Sequence, residues 1–326
     1  MKLAVDFYPL LPLYHSGPKV FLKRLVDSIH KQNLLKIHSP FLPFYDIGLY
    51  SVYDKSYYNK KFVLRVDGIY FDLKNTFGDT SNLNKKIFNS IDNAEGVIFI
   101  SEFSKKIVEK FYGILNKPWT IIHNKVPNDI FNPYGSNYRK KFNLKVTDKV
   151  LITSAHWRRH KRLEETIELL EKLNHYDDSY KLIVLGGDKK KNYNRNIIFA
   201  GEISPSNLAD WYRTANLYIH LAWIEPCGNT QIEAMSCGLP VVCCNNGGIG
   251  ETVRLASGGI VVKSDPEYQF DNIDYYNPPK PNYKKLIEAI EEIFQNYRTY
   301  SSNIDYNYLN IDNGAIEYTN FIKKLI

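Results

Sequence analysis

Cysteine is scarce and confined. The four cysteines are Cys227, Cys237, Cys243 and Cys244, the last two adjacent. That spacing excludes a disulfide framework, and no C-x-x-C pair marks a zinc site. The four read as small buried hydrophobes in a reducing compartment, which points to a cytoplasmic protein. No apolar run reaches the roughly 20 residues that a membrane span needs. The opening stretch "MKLAVDFYPL" carries Asp6 among its apolar residues. It reads as a first strand rather than a secretory leader. There is no internal repeat and no low-complexity segment. No strand is followed by G-x-G-x-x-G, which argues against a dinucleotide dehydrogenase. No cluster of residues has metal-ligand spacing, so no metal and no other cofactor is expected.

What is present suits two domains. The 326 residues exceed one ordinary core. A composition of 44% hydrophobic and 24% charged residues is that of a globular protein, so neither half reads as disordered. Net charge is uneven. Residues 1–142 hold 21 Lys/Arg against 12 Asp/Glu, or +9, and the remainder 21 against 23, or −2. The basic half implies either an anionic partner or surface, including peripheral contact with a membrane, or a lysine-rich solvated face. Nucleic acid is not expected.

Short β-branched or aromatic runs alternate with longer amphipathic stretches. Expected strands are 3–7, 62–66, 96–101 and 119–123, then 150–154, 181–185, 197–200, 217–221, 241–244 and 259–262. Expected helices include 20–30, 82–94, 102–112, 161–173, 207–215, 230–236 and 283–297, with "IEYTNFIKKLI" as a closing helix. Such alternation makes α/β domains with parallel, doubly wound sheets. Runs such as "GVIFIS" suit strands buried on both faces. The join falls in "VPNDIFNPYGSNYRKKFNLK", rich in proline and asparagine. Two Rossmann-like domains result, 1–142 and 143–326. Their ligands belong beyond the carboxyl ends of the strands, in the cleft between the sheets.

The most informative stretch is "IEPCGNTQIEAMSCGLPVV", Ile224–Val242. It parses as loop, helix, turn and strand. Gly228 lets a ligand approach the backbone. The helix starts near Asn229 and Thr230, and its free amides favour a phosphate. Glu225 is placed to accept bonds from sugar hydroxyls, and Glu233 from both hydroxyls of a ribose. The other reading of Glu233 is a T-x-x-E capping box with Thr230. Elsewhere, Arg65 and Asp67 end a buried strand, where a charged pair must be partnered or face a cleft. "PFLPFYDIGLYSVYDKSYYNKKF" is rich in aromatics and reads as core or as an acceptor groove.

These residues resemble the E-x7-E motif of retaining glycosyltransferases of family four, which have the GT-B fold. The match runs through Glu225, Gly228, Glu233-Ala234-Met235, Gly238 and Pro240-Val241-Val242. Cys227 and Asn229 depart from it. "NNGGIGETV" resembles the family's next loop, with Gly247, Gly248 and Glu251. The resemblance implies transfer of a sugar from a nucleotide-diphosphate donor to a hydroxyl of a glycan, lipid-linked or protein acceptor. It implies Glu225, Lys161, Arg158 and Asp67 as the reacting centre, the two cations gripping the diphosphate. It implies donor contacts at Gly17, Gly228, Asn229, Thr230, Glu233, Gly248 and Glu251. Rivals are a non-catalytic binding or regulatory module and a nucleotide-sugar epimerase.

Overall fold

In strand β4, Phe62–Val66, alternate side chains enter opposite cores. Val63 packs with one cluster, while Phe62, Leu64 and Val66 pack with another. Burial on both faces demands helices on both faces. A computed structural model describes residues 1–8, 17–53, 58, 60–71, 80–187, 194–263, 265–270 and 273–326. Among these, the first sheet holds β1 (Lys2–Val5), β2 (Lys36–His38), β3 (Ile47–Ser51), β4, β5 (Gly96–Phe99) and β6 (Trp119–Ile121). Its order is β2-β1-β3-β4-β5-β6, all parallel. Its helices are α1 (Gly17–Lys31), α2 (Thr80–Asn93) and α3 (Glu102–Tyr112).

The second sheet holds β7 (Lys149–Ser154), β8 (Tyr180–Leu185), β9 (Ile197–Gly201), β10 (Leu217–His220), β11 (Val241–Cys244) and β12 (Gly259–Val262). Its order is β12-β11-β10-β7-β8-β9, again all parallel. The order reverses between β7 and β10, and a crevice opens at such a switch point. Around it lie α4 (Leu163–Asn174), α5 (Leu208–Tyr212), α6 (Thr230–Ser236), α7 (Ile249–Leu255), α8 (Tyr283–Gln295), α9 (Tyr297–Ser302) and α10 (Tyr306–Leu309). A last helix, α11 (Ile311–Lys323), completes the chain's elements.

Three features differ from the expectation. Strand β3 lies in a stretch read as aromatic core or groove, and β2 lies just before that stretch; neither is among the expected strands. Within the stretch Tyr45 and Tyr50 are buried with their hydroxyls 3.1 Å apart, while Phe41 and Phe44 are exposed. Positions 54–57 and 59 of that stretch lie outside the described residues, as do 9–16 ahead of Gly17. The helix expected from Lys161 is interrupted. Arg159–Lys161 form a 3-10 turn, and Arg162 takes a left-handed φ of 56° before α4 begins. The buried Arg162 guanidinium causes the break. It donates to Asp265 at 2.7 Å and to the Pro279 carbonyl at 2.5 Å, and lies over Trp223. These bonds hold a backbone region costly for a non-glycine residue.

The closing helix also returns to the first sheet. Ile311, Ala315, Tyr318 and Ile322 share a core with Leu3, Phe21, Leu25 and Leu49. The Val126 amide donates to Leu309 and the Ile311 amide to Val126, each at 2.9 Å, so outgoing and returning segments pair between the halves. None of the four cysteines forms a disulfide, and three of them are buried. Burial pushes the Cys237 and Cys243 thiols up to about 12.

Removing methyl groups from the fully buried Ile322 leaves a cavity in the first half. Ile322→Ala is expected to cost about 3 kcal/mol in chemical denaturation. Faster amide exchange should follow in α1; unchanged exchange there would mean that α11 is only an appendage.

A candidate active site between the sheets

The carboxyl ends of the two sheets meet. Beyond β10 the chain runs through Leu221–Ile224 to Glu225, and this loop is tied at each step. The Trp223 amide donates to the His160 carbonyl at 2.7 Å. The Ile224 amide donates to Asn246 Oδ1 at 2.9 Å, and the Tyr275 hydroxyl donates to the Ile224 carbonyl at 3.0 Å. Ile224 has φ 55°, a strained value for a β-branched residue, and these bonds hold it there. The Glu225 carbonyl accepts from the Gly248 amide at 2.9 Å, joining the loop to the one after β11. Gly247 has φ 78°, and a Cβ on Gly248 would stand 1.9 Å from the Pro226 carbonyl and 2.7 Å from Ser101. Only glycines allow these loops and α3 to close together.

Glu225 Oε2 lies 2.7 Å from Lys161 Nζ and 3.0 Å from His220 Nε2. Burial alone would raise the carboxyl pKa. Lys161 and His220 outweigh it and hold Glu225 well below the usual carboxylate range. Lys161 follows β7 and Glu225 follows β10, so the pair spans the switch point. Neighbouring His160 is lowered to about 4, first by burial and then by Lys161, with Glu225 opposing. Arg158, at the head of the turn, is exposed and forms no ion pair among the described residues.

The first half contributes a polar chain. Arg65 is buried and paired with Asp67, and donates to Asn124 Oδ1 at 2.8 Å. Asn124 donates to Asn229 Oδ1 at 2.9 Å, and Asn229 donates to the Gly17 carbonyl at 3.3 Å. The charged pair at the end of β4 is therefore both partnered and at the cleft. A Cβ added to Gly68 would meet Pro226 at 3.8 Å, so the residues following Asp67 and Glu225 pack against each other.

The other expected donor residues have protein partners. Glu233 Oε1 accepts from Arg24 Nη2 at 2.7 Å, and Oε2 from the Tyr212 hydroxyl at 3.0 Å. Its side chain is 5% exposed. Thr230 accepts from the Tyr218 hydroxyl at 2.8 Å, and Asn229 makes no side-chain cap. The T-x-x-E pattern is thus not a capping box, since each member faces a buried tyrosine rather than the helix amides. Glu251 accepts from the Glu102 and Phe103 amides at 2.7 and 2.9 Å and lies 2.9 Å from His123 Nε2. A carboxylate of the second half therefore sits on the positive end of α3 in the first. The space beside Gly228 is filled by Gln231, whose Oε1 would lie 2.3 Å from an added Cβ, so that glycine serves packing.

His220, His123 and Asn124 lie at or just past strand ends, and that position in an α/β sheet is the signal that could have found them. Arg24 and Tyr212 sit in helices and carry no such signal.

Two facing parallel sheets, with a charged site at the switch point of the second, define the GT-B class of glycosyltransferase folds. A family model described as "Glycosyl transferases group 1" matches residues 136–308, more than half of the chain, and the chain belongs to that family. It is similar to YtcC of Bacillus subtilis (strain 168), a protein named as a glycosyltransferase. Identity is 24% over 268 residues, covering 74% of this chain and 61% of YtcC. It is also 22% identical over 194 residues to N-acetyl-alpha-D-glucosaminyl L-malate synthase of Bacillus anthracis, covering 56% of this chain and 50% of that one. The chain thus spans less than two thirds of these curated relatives. Among solved structures, sucrose-phosphate synthase from Thermosynechococcus elongatus has a TM-score of 0.76 at 15% identity, covering 99% of this chain and 98% of that one. Anabaena Alr3699/HepE in complex with UDP has a TM-score of 0.68 at 14% identity, covering 99% of both chains. Such likenesses show the fold. No helix among the described residues is long and apolar enough to cross a membrane.

Arg24→Met leaves the Glu233 carboxylate buried beside Tyr212 alone. A loss of about 3 kcal/mol is expected. Adding Glu233→Gln should recover part of it, because the stranded charge is gone; additive losses would deny the coupling.

His160 supplies a pH signature. Its folded pKa lies below its ordinary 6.5, so the folded state binds fewer protons. Its contribution is complete above about 6.5 and is lost as pH falls toward about 4. Melting temperatures of His160→Gln should fall less steeply than wild type across that window. Parallel curves would refute the assignment.

Proposed function

We propose that this chain moves a glycosyl group from a nucleotide-diphosphate sugar to an acceptor hydroxyl, with retention of anomeric configuration and without a metal. The observation that carries this is the Lys161–Glu225–His220 cluster at the switch point, with Asp67 across the contact. Solved relatives in fold hold UDP in Alr3699/HepE and ADP in starch synthase IV of Arabidopsis thaliana, which supports a nucleotide donor.

In this reading Lys161 and Arg158 hold the diphosphate and stabilise the charge that grows as the anomeric C–O bond to phosphate breaks. Glu225 accepts hydrogen bonds from the sugar hydroxyls. Lys161 and His220 keep it ionised and aimed, and the strained loop fixes its height. The acceptor oxygen attacks from the face that the phosphate leaves, and its proton passes to the departing phosphate oxygen. Asp67, steadied by Arg65, orients that hydroxyl. Glu233 receives the ribose only by exchanging Arg24 for it. Because Glu233 and Glu251 are occupied by groups of the first half, a second reading is a closed, non-catalytic nucleotide-binding module. The acceptor is a glycan, lipid-linked or protein hydroxyl, met by the basic first half.

Glu225→Gln should bind free nucleoside diphosphate like wild type in calorimetry. It should transfer or hydrolyse the sugar-loaded donor about ten- to a hundredfold more slowly, from loss of a charge-assisted bond worth roughly 1.5–3 kcal/mol. Equal loss of nucleotide affinity would move Glu225 off the sugar. Wild-type nucleotide binding with no turnover on any donor would favour the non-catalytic module. Activity should persist in chelator; loss restored by a divalent ion would defeat the metal-free mechanism.

A further inference from the structure

Between β2 and β3 the chain exposes four apolar residues in a row, Phe41-Leu42-Pro43-Phe44. Phe41 is 39%, Leu42 55% and Phe44 68% exposed, with Tyr58 beside them at 37%. The Tyr58 hydroxyl donates to the Phe41 carbonyl at 3.0 Å, which joins two loops into one patch. Consecutive exposed apolar residues are unfavourable in water unless something covers them. Pro40 and Pro43 stiffen the loop, so little conformational freedom is lost on docking.

The charge around the patch has one sign in excess. Lys2 and Lys36 open the adjacent strands β1 and β2, and Lys61 precedes β4; all three are exposed. Lys60 donates to the Tyr45 carbonyl at 3.0 Å, directly beside the apolar run. Asp46 is the acidic residue among them, and it accepts from the Lys2 amide at 2.8 Å. The patch follows edge strand β2, on the far side of the sheet from the β6 edge from which the chain leaves for the second sheet. Apolar side chains rimmed by lysines match the acyl–headgroup boundary of an anionic bilayer.

We propose that Phe41–Phe44 is a membrane-docking loop, inserting its apolar side chains into an anionic lipid surface while Lys36, Lys60 and Lys61 meet the headgroups. The proposal deepens the reading of the first half as an anion-facing surface and does not depend on the transfer chemistry.

The test is co-sedimentation of the full chain with vesicles of phosphatidylcholine alone or with added phosphatidylglycerol, at low and high salt. Wild type should bind the anionic vesicles at low salt, release at high salt and ignore phosphatidylcholine. Leu42→Ser/Phe44→Ser and, separately, Lys36→Gln/Lys61→Gln should each lower partitioning about tenfold. Melting curves and nucleoside-diphosphate binding should not change, so failure here leaves the transfer reading intact. No binding of wild type at low salt would overturn the proposal, as would wild-type binding by the serine variant. Self-association of wild type that the serine variant abolishes would identify an interface between copies and overturn it too.

Discussion

Carboxylates of the second half satisfy donors of the first, and the closed cleft depends on it. Glu233 takes Arg24, and Glu251 takes the opening amides of α3 together with His123. The direction agrees with the uneven charge, since the first half holds the surplus cations. A paired charge withdrawn from water stabilises little in net terms, but stranding one partner is expensive. The closed arrangement is therefore specified by mutual need. Glu225 differs: both its side-chain partners, Lys161 and His220, come from its own half. Its aim survives separation of the halves, whereas the surroundings of Glu233 and Glu251 do not.

The loop carrying Glu225 shows how such an aim is fixed. Ile224 occupies a conformation it would avoid alone, and Asn246, Tyr275 and the neighbouring backbone overdetermine it. Strain of this kind persists only where the surroundings leave no alternative.

Much of this was legible. Strands β4, β11 and β12 and helices α3 and α6 fall on the expected residues, because buried β-branched runs and turn residues mark them from local information alone. β2 and β3 escaped because one spans three residues and the other carries Gly48 amid tyrosines. The interruption at Arg162 escaped because its cause is a pocket built from Trp223, Asp265 and Pro279, remote in sequence. Glu233 reads from the sequence as cap or ribose ligand, and in the structure Arg24 and Tyr212 hold it. No spacing within "TQIEAM" encodes a partner some two hundred residues upstream. Conversely, Glu225 and Lys161 were legible because each sits just past a recognisable strand, where an α/β sheet exposes its chemistry.

The return of α11 to the first sheet sets an order of events during synthesis. The core around Leu3, Phe21 and Leu49 lacks one layer until residues 311–322 emerge from the ribosome. The second sheet has all its strands well before that. The half made first is thus finished last, and for most of translation its apolar face awaits a helix not yet made. Contacts of such long sequence separation are slow to form and leave nascent surface exposed. A ribosome stalled late in the message would hold a complete second sheet beside an uncapped first one, a natural client for a chaperone.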